Sequence, residues 1–239
     1  MITFKHIEIG YQTTLLHSEE ILLESGKVYA LIGRNGIGKS TLIQTMVGLI
    51  PTISGTIFIQ EQAIAMLSAK EISEKIALVE TRFEGVAFLK VKDYLALGRA
   101  PFTDVFGRMK WEDWEAVHTV AEALGISHLL EKYTDQISDG ERQLCAVGRA
   151  FVQETPIILM DEPTAFLDYI NRNTLLEILV SLAAKKNKCI ILSTHDIDAC
   201  LDHAVPMLFA SSGKIQLFST LSKTEILNRM NEKRPEQSF

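Results

Sequence analysis

A glycine-rich segment near the N-terminus has the spacing of a phosphate-binding loop. The segment GRNGIGKST, residues 33–41, matches the pattern G-x-x-x-x-G-K-[ST] and follows an apolar run that predicts a buried strand. Glycines let backbone N–H groups curl around phosphate oxygens, and a helix N-terminus adds partial positive charge. We expect Lys39 to reach the outer phosphates and Ser40 to bind Mg²⁺, and the alternative is a glycine-rich turn that binds nothing. The predicted phosphate-binding residues are Gly33, Arg34, Asn35, Gly36, Ile37, Gly38, Lys39, Ser40 and Thr41.

Two later apolar runs end in side chains that suit phosphoryl transfer. The run IILMDEPT predicts a strand that ends at Asp161 and Glu162. A carboxylate there can hold Mg²⁺ through water, a role we assign to Asp161, and Glu162 is placed to polarise the attacking water. The run ILSTHD leads to His195, whose ring could stabilise the charge that develops during the reaction. Lys39, Glu162 and His195 are therefore the predicted catalytic residues, and an acidic helix cap is the alternative for the two carboxylates.

Composition and charge narrow the class of protein. A chain of 239 residues with 47% hydrophobic content can bury a sizeable core as one large domain. The net charge of -6 argues against nucleic acid as the main partner. Three cysteines without metal-binding spacing favour buried free thiols in a reducing compartment. Since we find neither a signal-peptide pattern nor an apolar run near the roughly 18 residues of a membrane span, we expect any membrane association to be peripheral.

Apolar runs that suit strands alternate with segments of helical spacing, which predicts an α/β fold with a mainly parallel sheet. The segments MITFKHIEIG and EEILLES predict an antiparallel edge near the N-terminus. Residues 83–136 contain VKDYLALGRA, WEDWEAVHTVAEALG and SHLLEKY, which favour helices and predict an inserted helical subdomain. We expect one domain over residues 1–230, with an α/β core formed by 1–82 and 137–230. The tail, residues 231–239, is predicted to be disordered.

The phosphate loop, ISDGERQ, IILMDEPTAFLD and STHD, in this order and at these intervals, resemble the nucleotide-binding subunit of an ABC transporter, a P-loop NTPase. The resemblance implies that two subunits bind two ATP molecules, each site pairing one chain's phosphate loop with the other chain's signature loop. ISDGERQ falls on that signature, with Ser138 and Gly140 at its serine and second glycine. The resemblance also implies that Tyr11 stacks on adenine and that Asp168 communicates across the dimer. An aromatic packed on the core is the alternative for Tyr11.

The signature departs from the family pattern L-S-G-G-Q, because Ile137, Asp139 and Glu141 replace its leucine, first glycine and glutamine. Two carboxylates near an incoming γ-phosphate should each repel it by roughly a kcal/mol if only partly screened. Ser138 and Glu141 also have the spacing of a capping box, in which Glu141 turns back to the N–H of residue 138. If Glu141 points away from the phosphate, the signature can still bind an anion. A working and a degenerate signature both remain open, and Ser138, Gly140 and Glu141 are candidate ATP-binding residues.

Glu80 is the second departure from the family pattern. The segment IALVETR ends a predicted strand where the family usually places a glutamine that senses Mg²⁺ and the permease. Glu80 keeps an oxygen ligand but loses the amide donor and gains a charge. It could bind Mg²⁺ more strongly or slow the reaction. Ser40, Glu80 and Asp161 are the predicted metal ligands.

The segment VKDYLALGRAPF, residues 91–102, resembles one in subunits that serve iron siderophore, haem and cobalamin importers, although an amphipathic helix with a proline stop explains the same residues. The resemblance implies an ATPase at the cytoplasmic face of the membrane that drives import through a separate integral membrane permease. It also implies ATP and Mg²⁺ as cofactors and indirect action with a periplasmic or surface substrate-binding protein. A homodimer is the simplest closure of two equivalent sites, with a heterodimer as the open alternative, and the net charge predicts no nucleic acid partner. The alternatives are a non-transport ABC ATPase acting as a soluble assembly scaffold, and an ABC ATPase for another substrate class.

Overall fold

Short apolar runs of the sequence form the strands of a large mixed sheet. The computed structural model describes residues 1–104 and 106–231. Within that part of the chain the sheet has 11 strands. They are β1 (Ile2–Gly10), β2 (Thr14–His17), β3 (Ile21–Leu23), β4 (Lys27–Gly33), β5 (Ser54–Ile59), β6 (Gln62–Ala63), β7 (Ile76–Val79), β8 (Ile157–Met160), β9 (Cys189–Ser193), β10 (Met207–Ser211) and β11 (Lys214–Phe218).

Five neighbouring strands of this sheet are parallel, in the order β10, β4, β9, β8 and β7. β1 pairs antiparallel with β2, β3 and β5, and β6 pairs antiparallel with β5. β11 joins the two parts, antiparallel to β10 and parallel to β2. The predicted mainly parallel sheet and its antiparallel N-terminal edge are therefore confirmed. The strands β2, β6 and β11 were not predicted, because few of their residues are buried and they leave no apolar run in the sequence.

Helices and a second layer of strands cover the two faces of the parallel part. The helices are α1 (Lys39–Met46), α2 (Ala69–Lys75), α3 (Val91–Ala96), α4 (Trp111–Ala123), α5 (Asp139–Val152), α6 (Tyr169–Lys186), α7 (Ile197–Asp202) and α8 (Lys223–Asn231). Successive residues of β9 belong to different hydrophobic cores. Ile190 and Leu192 lie in the core that includes residues of α3, α5 and α6, whereas Ile191 lies in the core that includes residues of α1 and β1. Asn231, predicted to begin the tail, ends α8, and residues 232–239 lie outside the described residues.

The described chain between β7 and β8 contains helices and short turns but no strand, as the sequence predicts. Helix α5 packs against α3 and α4, so the contacts of this helical layer extend beyond the predicted subdomain, whose boundary remains a prediction. One predicted helix is wrong, because SHLLEKY forms only a helical turn at Ser127–Leu129. The carbonyl groups of Leu130 and Lys132 accept the N–H groups of Lys92 and Val91, and this pairing diverts them from a helix.

Arg99 joins three parts of the helical layer. Its Nε donates to Asp113 Oδ1 at 2.7 Å, and its Nη1 donates to Glu154 Oε2 at 2.7 Å and to the Val152 carbonyl at 3.2 Å. The Arg99 and Asp113 side chains are only 15% and 11% exposed. Burial alone would raise the pKa of Asp113, but hydrogen bonds from the Lys110 N–H and from Arg99 hold it below its ordinary value. Arg99 therefore balances the negative charges of Asp113 and Glu154 within the helical layer.

Gly98 and Arg149 connect the helical layer to β7. A Cβ on Gly98 would lie 2.3 Å from the Arg149 carbonyl oxygen, so only glycine allows this approach of the two segments. The Arg149 Nη2 donates to the Leu78 carbonyl of β7 at 2.7 Å, and its guanidinium lies over the Tyr94 ring. Tyr94 in turn stacks on Phe83, with 4.0 Å between the ring centroids. Gly98 of the segment 91–102 thus packs on Arg149, whose side chain reaches β7 near its carboxyl end.

Candidate functional site

The segment 33–41 forms a tight loop between β4 and α1. Gly36 and Gly38 have φ angles of 72° and 117°, in the left-handed region that favours glycine. A Cβ on Gly33 would lie 2.6 Å from the Ala210 carbonyl oxygen, so β10 packs tightly on the first residue of the loop. Gly38 is the N-cap residue of α1 and has no side chain. The first N–H groups of the helix therefore form no hydrogen bond with a capping side chain. These N–H groups remain available to an anion.

The Lys39 ammonium group lies inside this loop. Its Nζ donates to the carbonyl oxygens of Gly33 at 3.0 Å and Arg34 at 3.4 Å, and the residue is 6% exposed. Burial lowers the pKa of Lys39, and the carboxylates of Glu162 and Asp161 act in the opposite direction. A cavity of about 310 Å³ opens beside it, lined by Leu15, Asn35, Gly36, Gly38, Lys39, Ser40, Thr41 and Glu162. The cavity thus combines a buried cation with loop and helix N–H groups.

Asp161 and Glu162 directly follow β8, as predicted, and Ser193 at the end of β9 contacts both. The Ser193 Oγ donates to Asp161 Oδ1 at 2.6 Å and accepts the Glu162 N–H at 2.9 Å. Ser193 is 0% exposed, so water does not compete for these bonds. The sequence analysis missed Ser193, although a hydroxyl in the otherwise apolar run CIILS was a signal that could have indicated it.

His195 contacts the carboxylate of Glu162. The His195 Nε2 lies 2.9 Å from Glu162 Oε1, and the two side chains are 42% and 32% exposed. Glu162 has a φ of 49°, a left-handed conformation that costs a residue other than glycine on the order of 1 kcal/mol. Since Glu162 also lines the cavity beside Lys39, the structure brings together all three predicted catalytic residues and Asp161.

Oxygen atoms at this edge of the sheet suit a hydrated Mg²⁺. Ser40 lines the cavity, and no described residue forms a hydrogen bond with the second carboxylate oxygen of Asp161. Over residues 1–104 and 106–231, no group of three or more His, Cys, Asp or Glu side chains could hold a metal ion. Mg²⁺ commonly uses one or two carboxylates together with phosphates and waters, so these donors fit a cation that binds with a nucleotide. Glu80 follows β7, beside β8, and is exposed, but its role as a ligand stays a prediction.

Ser138 and Glu141 form the capping box predicted at the start of α5. The Glu141 Oε2 accepts both the N–H and the hydroxyl of Ser138 at 2.8 Å, and the Ser138 Oγ accepts the Glu141 N–H at 3.3 Å. The bond from the Ser138 backbone is the largest cause that lowers the pKa of Glu141, and burial opposes it. The hydroxyl proton of Ser138 is therefore engaged within its own chain.

The other carboxylate of the signature also has a partner. Asp139 forms an ion pair with Arg142, whose Nη1 donates to the Ile137 carbonyl at 2.6 Å. The His128 Nε2 lies 4.0 Å from Glu141 Oε1. Basic groups and N–H donors thus offset part of the negative charge that this signature would present to an anion.

Gly140 lets the start of α5 approach the loop that follows β8. A Cβ on Gly140 would lie 3.3 Å from the Phe166 carbonyl oxygen and from Leu167 Cδ2. Asp168 caps α6, since its Oδ1 accepts the Asn171 N–H at 2.8 Å. The signature and the loop that contains Asp168 therefore contact each other within one chain.

The remaining predicted nucleotide-binding residues do not line the cavity beside Lys39, as far as the described residues define it. They are Gly33, Arg34 and Ile37 within the phosphate loop, and Tyr11, Ser138, Gly140, Glu141 and Asp168 outside it. Tyr11 lies between β1 and β2 and is 69% exposed, so it does not pack in the core and its ring is accessible for stacking. The roles of Ser138, Gly140, Glu141 and Asp168 depend on a second chain, as the family resemblance implies.

The loop geometry and the carboxylates of the site agree with a comparison to known protein families. The family described as ABC transporter matches residues 16–165, which include the phosphate loop, the signature and both carboxylates. This chain belongs to the ABC transporter family. It is an ATP-binding subunit of that family, an ABC ATPase. Among the described residues of this ABC ATPase, no helix has both the length and the apolar character needed to cross a bilayer.

Individual relatives agree with this assignment. An uncharacterized ABC transporter ATP-binding protein of Methanocaldococcus jannaschii is 31% identical over 96% of this chain and 81% of its own length. The ferric enterobactin transport ATP-binding protein FepC of Escherichia coli is 32% identical over 88% of this chain and 78% of its own length. A solved metal-chelate type ABC transporter in an inward-facing conformation is 26% identical and aligns with a TM-score of 0.78, covering 95% of this chain and 84% of the other.

Replacing Lys39 with Met should weaken ATP binding by about tenfold or more, because the change removes the buried cation beside the phosphate cavity. Titration with a fluorescent ATP analogue measures this effect. Lys188 provides a matched control, since it is 7% exposed and its Nζ donates to the Thr155 carbonyl at 2.5 Å. Lys188→Met should lower the melting temperature without changing the affinity for ATP. Equal loss of ATP binding in both variants would contradict a specific phosphate-binding role of Lys39.

Proposed function

We propose that this ABC ATPase hydrolyses ATP to drive import of an iron complex, such as a ferric siderophore or haem, or of cobalamin, through a separate membrane permease. The observation that carries the proposal is the arrangement of Lys39, Asp161, Glu162 and His195 at one edge of the sheet. This arrangement suits phosphoryl transfer to water. The cargo class is supported by the similarity to a ferric enterobactin transport protein and to a metal-chelate type transporter.

The phosphate loop binds the nucleotide in this mechanism. Lys39 and the N–H groups of the loop hold the outer phosphates, while Tyr11 stacks on the adenine ring. Ser40 and Asp161 are the residues that would hold Mg²⁺, with Glu80 as a further candidate ligand. When bound, Mg²⁺ would neutralise part of the charge on the transferred phosphoryl group. The exposed ring of Tyr11 supports its assignment, and the second oxygen of Asp161, to which no described residue forms a hydrogen bond, supports that of Asp161.

Glu162 orients and polarises the water that attacks the γ-phosphate. Its carboxylate accepts a hydrogen bond from that water, and the contact with His195 at 2.9 Å keeps the carboxylate in position. A ring that donates its Nε2 proton to Glu162 cannot donate the same proton to a phosphate. The predicted charge-stabilising role of His195 therefore requires the ring to leave Glu162 when ATP binds.

A homodimer is the simplest assembly that completes two equivalent ATP sites, each with the phosphate loop of one chain and the signature of the other. The pairing of Asp139 with Arg142 supports a working signature, because it reduces the charge facing an incoming phosphate. The bond from Ser138 to Glu141 acts in the opposite direction, because the hydroxyl must leave an internal acceptor before it can donate to a phosphate. A working but weakened signature follows from these two contacts.

The permease meets the helical layer and the segment after β7, with the ABC ATPase at the cytoplasmic face of the membrane. A periplasmic or surface substrate-binding protein acts indirectly, from the opposite side of the membrane. Nucleic acid is not a partner in this function. The contacts from Arg149 to Leu78 and from Tyr94 to Phe83 support this coupling route. These contacts connect the helical layer to β7, the strand that leads to Glu80. A displacement of the helical layer by the permease would therefore reach Glu80, the further candidate ligand of Mg²⁺.

Cells of the source organism that lack this gene should lose uptake of a radiolabelled ferric siderophore, haem or cobalamin. The wild-type gene should restore uptake, whereas Glu162→Gln should not, because it removes the carboxylate that activates water. Uptake counts over time measure the effect, with an unrelated labelled amino acid as the control. Unchanged uptake of all three cargoes, together with co-purification of soluble proteins instead of a permease, would favour the scaffold alternative.

The Glu162→Gln protein should double its mass in solution when Mg-ATP is added, because slow hydrolysis traps the closed homodimer. Light scattering coupled to gel filtration measures the mass with and without Mg-ATP. The wild-type protein with ADP serves as the control and should remain a monomer. A variant that binds ATP and yet stays monomeric would contradict closure of two copies of this chain on ATP alone.

Adding Glu141→Gln to the Glu162→Gln protein should strengthen ATP-dependent dimerisation several-fold, because it removes a charge near the phosphate while glutamine still permits the capping box. The Ser68 and Glu71 pair of α2 offers a matched control, with bonds of 2.8, 2.7 and 3.3 Å. Glu71→Gln changes an equivalent cap and should leave the dimerisation constant unaltered. An equal change from both substitutions would point to a general effect on folding.

A further inference from the structure

Ser193, at the carboxyl end of β9, connects the two carboxylate residues of the site. We propose that Ser193 is a positioning residue for ATP hydrolysis, whose hydroxyl fixes the Asp161 carboxylate for the nucleotide-bound cation and the Glu162 backbone for activation of water. This inference rests on the proposed function, since it assigns Ser193 to the same phosphoryl-transfer site.

The directions of the two hydrogen bonds at Ser193 follow from the groups involved. The Glu162 N–H can only donate, so it takes a lone pair of Ser193 Oγ at 2.9 Å. The hydroxyl proton is then directed to Asp161 Oδ1 at 2.6 Å, the length expected for a bond to an ionised carboxylate. No other hydrogen bond to the Asp161 side chain occurs within the described residues. One carboxylate oxygen is thus anchored, and the other stays available to a ligand.

The second effect of Ser193 concerns the backbone of Glu162. This residue has a φ of 49°, which is unfavourable for a residue with a Cβ and persists only where the surroundings enforce it. The Glu162 N–H is held by Ser193, and its carbonyl accepts the Ala165 N–H at 3.1 Å. Loss of the Ser193 hydroxyl would release one of these two restraints. The Glu162 carboxylate would then be less strictly aligned with His195.

The strand register explains why the hydroxyl is at this position. Met160 lies opposite Leu192 in the pairing of β8 with β9, so the next residues of the two strands are Asp161 and Ser193. Ser193 itself lies opposite Leu31 in β4, two residues before the phosphate loop begins. A hydroxyl at 0% exposure is costly unless it is bonded, and both of its bonds here go to residues of the site.

The test compares Ser193→Ala, which removes the hydroxyl, with Ser193→Thr, which keeps it. Thr155→Val is the matched control, because Thr155 is 0% exposed and its hydroxyl donates to the Ile157 carbonyl at 2.8 Å, at the opposite end of β8. Three quantities are measured for each protein. They are kcat and KM for ATP, the Mg²⁺ concentration that gives half-maximal activity, and the affinity for a non-hydrolysable ATP analogue with and without Mg²⁺. Thermal melting reports the stability of each variant.

Ser193→Ala should lower kcat by about tenfold, as expected for loss of a hydrogen bond to a charged group in the site. It should raise the required Mg²⁺ concentration and reduce the gain in analogue affinity that Mg²⁺ provides, while binding without Mg²⁺ stays unchanged. Ser193→Thr should restore these values. Thr155→Val should change only the melting temperature.

Wild-type kcat and Mg²⁺ dependence in Ser193→Ala would overturn the inference and leave the ATPase function intact. The same holds if Thr155→Val reproduces the kinetic effects, or if Ser193→Thr fails to reverse them, since a loss of stability would then account for the data. If the wild-type protein hydrolyses no ATP, the proposed function fails. In that case the Mg²⁺-dependent binding of the analogue still decides whether Ser193 positions Asp161.

Discussion

The parallel pairing of β4, β9 and β8 brings together groups that are far apart along the chain. Leu31 lies opposite Ser193, and Met160 lies opposite Leu192, so the three strands end at the same edge of the sheet. A slip of one residue in any of these strands would turn its side chains toward the wrong core. Because hydrophobic side chains fill both cores, their packing fixes the register, and the register fixes the positions of the polar groups that follow.

The site concentrates backbone and side-chain states that are unfavourable elsewhere in a protein. Gly36, Gly38 and Glu162 have positive φ angles, and Lys39 and Ser193 are buried. Burial of a hydroxyl or an ammonium group costs free energy unless hydrogen bonds replace those with water, and a left-handed Glu adds on the order of 1 kcal/mol. Each group here has such partners. The surrounding sheet thus holds an anion-binding cavity and its carboxylates in place before any ligand binds.

The sequence predicted what depends on local pattern, such as the buried strands, the phosphate loop and the capping box of Ser138 and Glu141. It missed the bonds of Ser193 because they cross from one strand to another, and a single run of residues does not show that pairing. It was wrong about a helix at SHLLEKY because the carbonyl oxygens of Leu130 and Lys132 accept hydrogen bonds from the N–H groups of a segment that is distant along the chain. The ion pairs of Arg99 were likewise not visible in the sequence, since Asp113 lies in α4 and Glu154 follows α5, both distant from Arg99 along the chain.

The acidic signature is best understood from the caps elsewhere in this chain. Ser68 with Glu71 and Ser222 with Glu225 repeat the spacing of the signature cap, and all three place the glutamate Oε2 2.8 Å from the serine N–H. Since two of these caps lie outside the proposed ATP site, the orientation of Glu141 follows from local helix chemistry rather than from nucleotide binding. A phosphate that takes the Ser138 hydroxyl must displace a carboxylate acceptor, a bond worth roughly 1.5–3 kcal/mol. In the proposed dimer, closure on ATP alone would therefore be less favourable, and contact with the permease would supply the missing free energy.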